Sequence, residues 1–167
     1  DMSPKEALKH LKEIDRDKKY PSYVRRFFAG IASSFFALLF GAGFSDFVLA
    51  LLISIVGITV NEKIEKFSET VFLANVISGA LISLLAIFSK VIGLGENIDM
   101  IIVGSIMPLV PGVALTNGLR DFISGELIAG ISKVGEAIII AISIAVGVGT
   151  ILKLWMYMNG GVLSALL

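Results

Sequence analysis

A short polar cluster follows a break in a hydrophobic run, and its side chains could bind a small charged solute. Residues 108–121 read PLVPGVALTNGLRD. An arginine presents a planar fork of donors that matches a carboxylate, while amide and hydroxyl groups add hydrogen bonds. An aspartate can carry a proton or meet an amino group. The candidate substrate-binding residues of this stretch are Thr116, Asn117, Arg120 and Asp121.

The break itself consists of Pro108, Pro111 and Gly112. Each proline removes a backbone donor and clashes with the carbonyl one turn earlier, so the helix entering from Met100 should kink or stop here. Backbone that is not helical is tolerated at membrane depth only against protein or a watery cavity, and many transporters bind solutes at broken helices. A proline kink that leads into an ordinary cytoplasmic loop is the alternative, and the spacing alone favours neither.

Helical periodicity after the break places Asn117, Arg120 and Ser124 on one stripe, with Asp121 beside it. Two further polar residues lie inside hydrophobic runs. Asn75 either joins two helices by a hydrogen bond or lines the solute path, because a buried Asn in a membrane needs a partner. Glu136, roughly a turn inside the last span, either pairs with Lys133 or couples transport to protons; Asp121 is the other candidate for proton coupling.

The composition identifies an integral membrane protein. Of the 167 residues, 56% are hydrophobic and 17% are charged, and the mean hydropathy is +0.90. Soluble domains of this length are nearer 45–50% apolar. The formal net charge of zero argues against a nucleic-acid partner.

The residue inventory also argues against an enzyme. The chain has no cysteine, and its one histidine, His10, lies in a charged segment outside the hydrophobic runs. A disulfide, a metal site and a His-based catalytic site are therefore not expected, and no cofactor is implied. No Ser–Lys, Asp–Asp or His–metal arrangement typical of an intramembrane enzyme stands within the spans.

The hydropathy pattern predicts an all-α membrane protein with five transmembrane helices, the fourth of which is broken by proline and glycine. Residues 1–22 begin with a capping box and form an amphipathic helix, lying on the inner leaflet or linking to an upstream domain. Residues 23–167 form the five-helix domain. The predicted spans cover residues 23–43, 47–60, 70–93, 100–113 and 130–157.

The distribution of positive charge predicts the orientation. Twelve of the fourteen Lys and Arg residues fall on one side of these spans, and only Lys90 and Lys153 lie near the other. The positive-inside rule then places the N-terminus inside and the C-terminus outside, with residues 61–69 and 117–125 cytoplasmic. We expect a multi-pass protein of the inner cell membrane.

Small residues recur every fourth position in two spans, over residues 29–41 and 137–149. Such stripes let helices approach closely, so we expect a homo-oligomer or a complex with another membrane protein. At the start of the second span, Asp46 is either an acid favoured by the helix dipole or a residue that faces a watery entrance.

Two segments resemble the threonine/serine exporter family, specifically its first five-span half. The segment MPLVPGVALTNGLRDFISGELIAGISKVGEA is similar to the signature region of that family, and FALLFGAGFSDF is similar to its first hairpin. The similarity covers roughly residues 28–149. The proline–glycine, Asn–Arg–Asp and Ser–Gly elements are specific in combination.

This resemblance implies an exporter of small amino acids such as threonine and serine, driven by the proton gradient. A dicarboxylate exporter subunit, for a succinate-like solute, and an assembly subunit that does not itself transport are the alternatives. The family pattern adds an upstream cytoplasmic domain and a second five-span half, fused or separate. We therefore expect this chain to be one half of an exporter, whose matching positions Pro108, Pro111, Gly112, Asn117, Arg120 and Asp121 are functionally important.

Overall fold

The computed structural model describes residues 21–158, all of whose regular elements are helices. The predicted helix over residues 1–22 therefore lies almost wholly outside the described residues, as do residues 159–167. The helices are α1 (Ser22–Leu39), α2 (Phe44–Ser68), α3 (Val71–Val91), α4 (Ile98–Ile106), α5 (Gly112–Ile123) and α6 (Leu127–Met158), with a 3₁₀ turn at Met107–Leu109.

The first hairpin, α1 and α2, is held together by small and hydroxyl residues. Ser33 and Ser54 share a hydrogen bond of 2.6 Å between the two helices, and both are fully buried. A Cβ at Gly30 would lie 3.1 Å from the carbonyl oxygen of Leu51. Of the stripe predicted over residues 29–41, Ser33 and Ala37 are therefore buried inside this chain, whereas Gly41 is exposed.

The helix before the predicted break, α4, packs against that hairpin. A Cβ at Gly104 of α4 would lie 2.6 Å from the Cβ of Ala37. Ile101 and Ile102 of α4 join the main buried cluster with Ile53, Ile82 and Ala86. In hydrocarbon, where apolar burial adds little, such close van der Waals packing is a main source of helix association.

The closest approach of two helices is between α3 and α6. A Cβ at Gly147 would lie 2.1 Å from the carbonyl oxygen of Val76, and one at Gly79 would lie 3.1 Å from that of Ile144. Only a residue without a side chain fits where two backbones meet in this way. The second stripe, by contrast, is mostly outside this contact, since Ala141, Ala145 and Gly149 are exposed.

Within residues 21–158, three helices are long and apolar enough to cross a membrane, namely α2, α3 and α6. The pair Ile98–Leu109 and Gly112–Ile123 adds a fourth candidate if it is one broken span, bent by 58°. The 18-residue helix α1, which carries Arg25 and Arg26 near its start, is not one of these candidate spans. The membrane character of the described helices agrees with the sequence, while five crossings and their orientation stay predictions.

Several predicted boundaries differ from the structure, among them the end of α2 and the start of α6. Residues 61–69 were expected to form a connector, but α2 continues through Ser68 and ends at Glu69, whose φ of 54° is left-handed. The charged residues of that segment therefore belong to the last turns of α2. Residues 127–129 likewise belong to α6, which has 32 residues, about 48 Å at 1.5 Å per residue.

The helices α5 and α6 form an antiparallel hairpin that reaches past the start of α3. A Cβ at Gly118 would meet Val134 at 2.8 Å, and one at Gly130 would meet the ring of Phe122 at 2.9 Å. Gly147 lies far along α6, whereas Val76, which it contacts, lies near the start of α3. The first residues of α6 therefore extend beyond the first turn of α3. Among the described helices, α5 packs on α6.

Candidate functional site

The predicted break is present and interrupts the fourth hydrophobic run. After the helix α4, the 3₁₀ turn Met107–Leu109 leads to Val110 in an extended conformation, and α5 starts at Gly112. Pro111 precedes the first helical residue of α5, where its missing N–H leaves no helical hydrogen bond unmade. The two prolines thus separate two helices whose axes differ by 58°.

A small groove lies beside the break and is apolar. It has a volume of about 210 Å³ and is lined by Pro111, Gly112 and Leu115 with Ala137, Ile138 and Ala141 of α6. A side chain at Gly112 would meet nothing within 4 Å, so the break leaves open space there. Among residues 21–158, no polar side chain lines this groove.

Thr116 and Arg120 lie on the side of α5 that faces away from α6. Both are exposed, and Arg120 is two residues from Gly118, the contact point with α6. At about 100° per residue, two positions correspond to about 200° around the helix. The Thr116 hydroxyl donates to the carbonyl oxygen of Gly112 at 2.9 Å. Arg120 forms no ion pair with any residue between 21 and 158.

Asp121 and Asn117 lie nearer to α6. The carboxylate of Asp121 accepts a hydrogen bond from Lys133 Nζ at 2.6 Å, and its side chain is 14% exposed. Asn117 is half-buried. Lys133 therefore pairs with Asp121 across the hairpin, whereas the sequence had offered Glu136 as its partner.

Asn75 lies in a different part of the molecule. It is buried on α3, and its Oδ1 accepts a hydrogen bond of 2.9 Å from Asn61 Nδ2 on α2. Asn61 is therefore the partner that a buried Asn needs, as expected if Asn75 joins two helices. A hydrogen bond of this kind leaves its role in a solute path open to test.

Glu136 lines a groove of about 410 Å³ between α3 and α6. Val71 and Phe72 form one wall, and Ser132, Gly135 and Glu136 are on the other. The carboxylate is exposed and has no hydrogen-bond partner among residues 21–158. Since most of the lining is apolar, this unpaired acid is the main polar feature of the groove.

The structure thus brings the candidates together in part. The break, Thr116, Asn117, Arg120 and Asp121 share one helix and its start, whereas Asn75 faces α2 and Glu136 faces the groove beside α3. Within residues 21–158, no three His, Cys, Asp or Glu side chains are placed to hold a metal ion. One closed pocket that contains all the candidates is not formed by the described helices.

Two arginines and a glutamate form a charged cluster that the sequence analysis did not single out. Arg25 and Arg26, at the start of α1, both bind Glu62 near the end of α2, and Arg26 Nε donates at 2.9 Å. The hairpin turn at residues 40–43 makes these positions neighbours, which could have been foreseen by folding the sequence about that turn. The pairing holds the two arginines at the start of α1 against the end of α2.

Comparison with known proteins assigns the family. Residues 1–155 match the sequence profile of the ThrE family, which is described as "Putative threonine/serine exporter". The chain is also similar to a protein named "Probable succinate transporter subunit YjjP" from Klebsiella aerogenes, at 24% identity over 159 residues. The aligned region is 90% of this chain and 58% of that protein, so the chain spans little more than half of its relative. No solved structure matches the chain. The match over nearly the whole chain shows that this protein belongs to the threonine/serine exporter family.

Proposed function

We propose that this chain is one half of a secondary exporter for small amino acids, with Arg120 meeting the carboxylate of the solute. The observation that carries the proposal is the position of Arg120 in the last turn of α5, one turn after Thr116, on the face that points away from α6. A guanidinium binds a carboxylate through two parallel hydrogen bonds. Asn117 and, along another part of the path, Asn75 supply further hydrogen bonds.

The pairing of Asp121 with Lys133 favours Glu136 as the proton-coupling residue. Asp121 already has a cationic partner at 2.6 Å, whereas Glu136 has none among the described residues. A carboxylate in an apolar groove is costly to keep charged without a partner or water. Glu136 is therefore the residue that we propose for coupling movement of the solute to the proton gradient, with Asp121 as the alternative.

The outward face of the α5–α6 hairpin supports a partner in transport. Its exposed apolar residues include Val113 at 75%, Ile123 at 88% and Ile128 at 87% exposure. The hairpin extends past the start of α3, and the main packing contact of α5 among the described helices is with α6. A second five-span half, or another copy of this chain, would cover this face and close the solute path around Arg120. The word "subunit" in the name of the relative supports the same proposal.

Two alternatives use the same residues. A dicarboxylate exporter subunit is suggested by the name of the YjjP relative, and for it Arg120 would meet one of two carboxylates. An assembly subunit that does not transport would use the hairpin face for docking alone. We place the protein in the inner cell membrane as a multi-pass protein with its N-terminus inside.

The decisive experiment measures efflux of labelled threonine, serine and succinate from cells that express the chain with and without a second half. We expect Arg120→Lys to reduce efflux about tenfold or more, because the single ammonium cannot replace the bidentate fork. Arg25→Lys is the matched control, since Arg26 would still bind Glu62. Efflux must be normalised to the amount of inserted protein.

Each outcome selects one interpretation. Threonine or serine efflux that falls in Arg120→Lys and not in Arg25→Lys supports the amino-acid exporter. Succinate efflux with the same pattern supports the dicarboxylate alternative. Equal efflux by wild-type protein and the Arg120→Lys variant would withdraw Arg120 from the site.

A further inference from the structure

Asp46 is a fully buried carboxylate at the end of the bundle opposite to the α5–α6 hairpin. It lies in the first turn of α2, just after the tight turn that follows α1. Among the described residues it has no ion pair with a lysine or arginine. A buried acid in this position needs other groups to stabilise its charge.

Those groups come from the loop between α3 and α4. Asp46 Oδ1 accepts a hydrogen bond of 2.8 Å from the backbone N–H of Glu96. Its other oxygen, Oδ2, lies 3.3 Å from the backbone nitrogen of Asn97 and 3.3 Å from the Asn97 side-chain nitrogen. One side chain of α2 therefore holds two successive residues of a distant loop.

Asn97 is also the N-cap residue of α4, and its own side chain does not cap that helix. The first N–H groups of a helix lack helical partners, and the helix dipole favours negative charge beside them. Asp46 thus stabilises the start of α4 from a neighbouring helix, while its charge is also favoured by the N-terminus of α2. This explains how the buried acid is tolerated without a cation.

The surrounding contacts show that the loop is pressed against the bundle at this point. A Cβ at Gly95 would lie 2.8 Å from Ile101 and 3.0 Å from the hydroxyl of Ser89. Farther along α4, the Ser105 hydroxyl lies 3.3 Å from the carbonyl oxygen of Ala50 on α2. The hydrogen bonds of Asp46 therefore lie at one end of a tight contact between α2 and α4.

We propose that Asp46 is a latch that holds the first half of the broken span, α4, closed against α2. Its release lets α4 and the α3–α4 loop move away from α2 and opens the end of the bundle that is remote from Arg120. The neighbouring charges do not replace the latch: Lys90 donates to the carbonyl oxygen of Glu96, and Asp99 is exposed. The latch is independent of which solute the protein exports.

Thiol labelling of Ser105→Cys tests the latch without any transport measurement. The chain has no cysteine, and Ser105 is fully buried between α4 and α2. In open membrane fragments that contain the full chain, a soluble maleimide should react with this variant slowly. Adding Asp46→Asn should raise the rate by at least about tenfold, because bonds to a charged acceptor are lost and an amide donor then faces N–H groups.

Two controls separate opening of the latch from general disruption. Asp99→Asn makes the same chemical change at an exposed acid in the first turn of α4, and it should leave the labelling rate unchanged. Ser78→Cys places the thiol on α3 at a fully buried hydroxyl that has no hydrogen-bond partner in the described structure. Its labelling should stay slow in the presence of Asp46→Asn.

Asn97→Ala provides a second test should Asp46→Asn fail to insert. It removes only the side-chain bond to Asp46, so labelling at Ser105→Cys should rise by a smaller factor, about twofold to fivefold. Unchanged labelling in the inserted Asp46→Asn variant, or in Asn97→Ala if that is the variant available, would overturn the latch. Equal acceleration at Ser78→Cys and Ser105→Cys would also overturn it, since the whole bundle would then have loosened.

Discussion

Lys133 of α6 lies 2.6 Å from Asp121 of α5 and joins the two helices of the hairpin that follows the break. The pair is partly exposed to solvent, because the lysine side chain is 41% exposed and the aspartate side chain 14%. A pair of this kind contributes about 1 kcal/mol or less to stability. Its importance would therefore lie in fixing the hairpin that carries Arg120.

Exchanging the two charges tests this role. We expect Asp121→Asn and Lys133→Met each to lower efflux severalfold, and Asp121→Lys combined with Lys133→Asp to restore most of it. Glu126→Gln, at an exposed acid in the hairpin turn, is the control and should be neutral. A double variant that inserts normally but does not transport would show that Asp121 itself meets the solute or the proton.

The crossing of α3 and α6 predicts that alanine at one glycine of α6 lowers the stability of the protein, while alanine at another leaves it unchanged. Gly147→Ala would place a methyl group 2.1 Å from the Val76 carbonyl oxygen, so the helices must move apart, at a cost of about 1–3 kcal/mol. Gly149→Ala meets nothing within 4 Å and should be neutral. Thermal unfolding of the two variants in the same detergent provides the measurement. Equal midpoints would contradict the packing described for α3 and α6.

The hydrogen bond between Asn61 and Asn75 predicts how their variants combine. If Asn75 serves only to join α2 to α3, Asn61→Ala and Asn75→Ala should each destabilise the protein by about 0.6 kcal/mol, and the double variant little more. Transport per folded molecule should then be unchanged in all three. A loss of transport confined to Asn75→Ala would place this residue in the solute path.

The orientation predicted from positive charge can be tested by labelling single cysteines in sealed cells. Ser68→Cys, at the end of α2, and Ser124→Cys, just after α5, should be inaccessible to an impermeant thiol reagent. Asp99→Cys, at the opposite end of the broken span, should react. The reverse pattern would invert the orientation, and with it the side from which the solute enters.

Hydropathy and the proline–glycine motif alone determined the class of the molecule and the place of its break. Apolar runs of sufficient length predict membrane helices, and Pro108, Pro111 and Gly112 interrupt the fourth run where the structure has its 58° bend. Both are local properties, since backbone donors in lipid must be satisfied within a helix and proline cannot take part. The family resemblance, confirmed by the match over residues 1–155, rested on the same segments.

Only the tertiary structure decided which polar residues meet. Helical spacing placed Arg120 and Asp121 side by side, but the packing of α5 on α6 through Gly118 turns the arginine outward and brings the aspartate to Lys133. Likewise, the local sequence showed Asp46 as an acid at a helix start, and only the path of the α3–α4 loop brings two backbone N–H groups to it from about fifty residues away. Partners of this kind depend on how helices approach one another, which a repeat of small residues allows but does not specify.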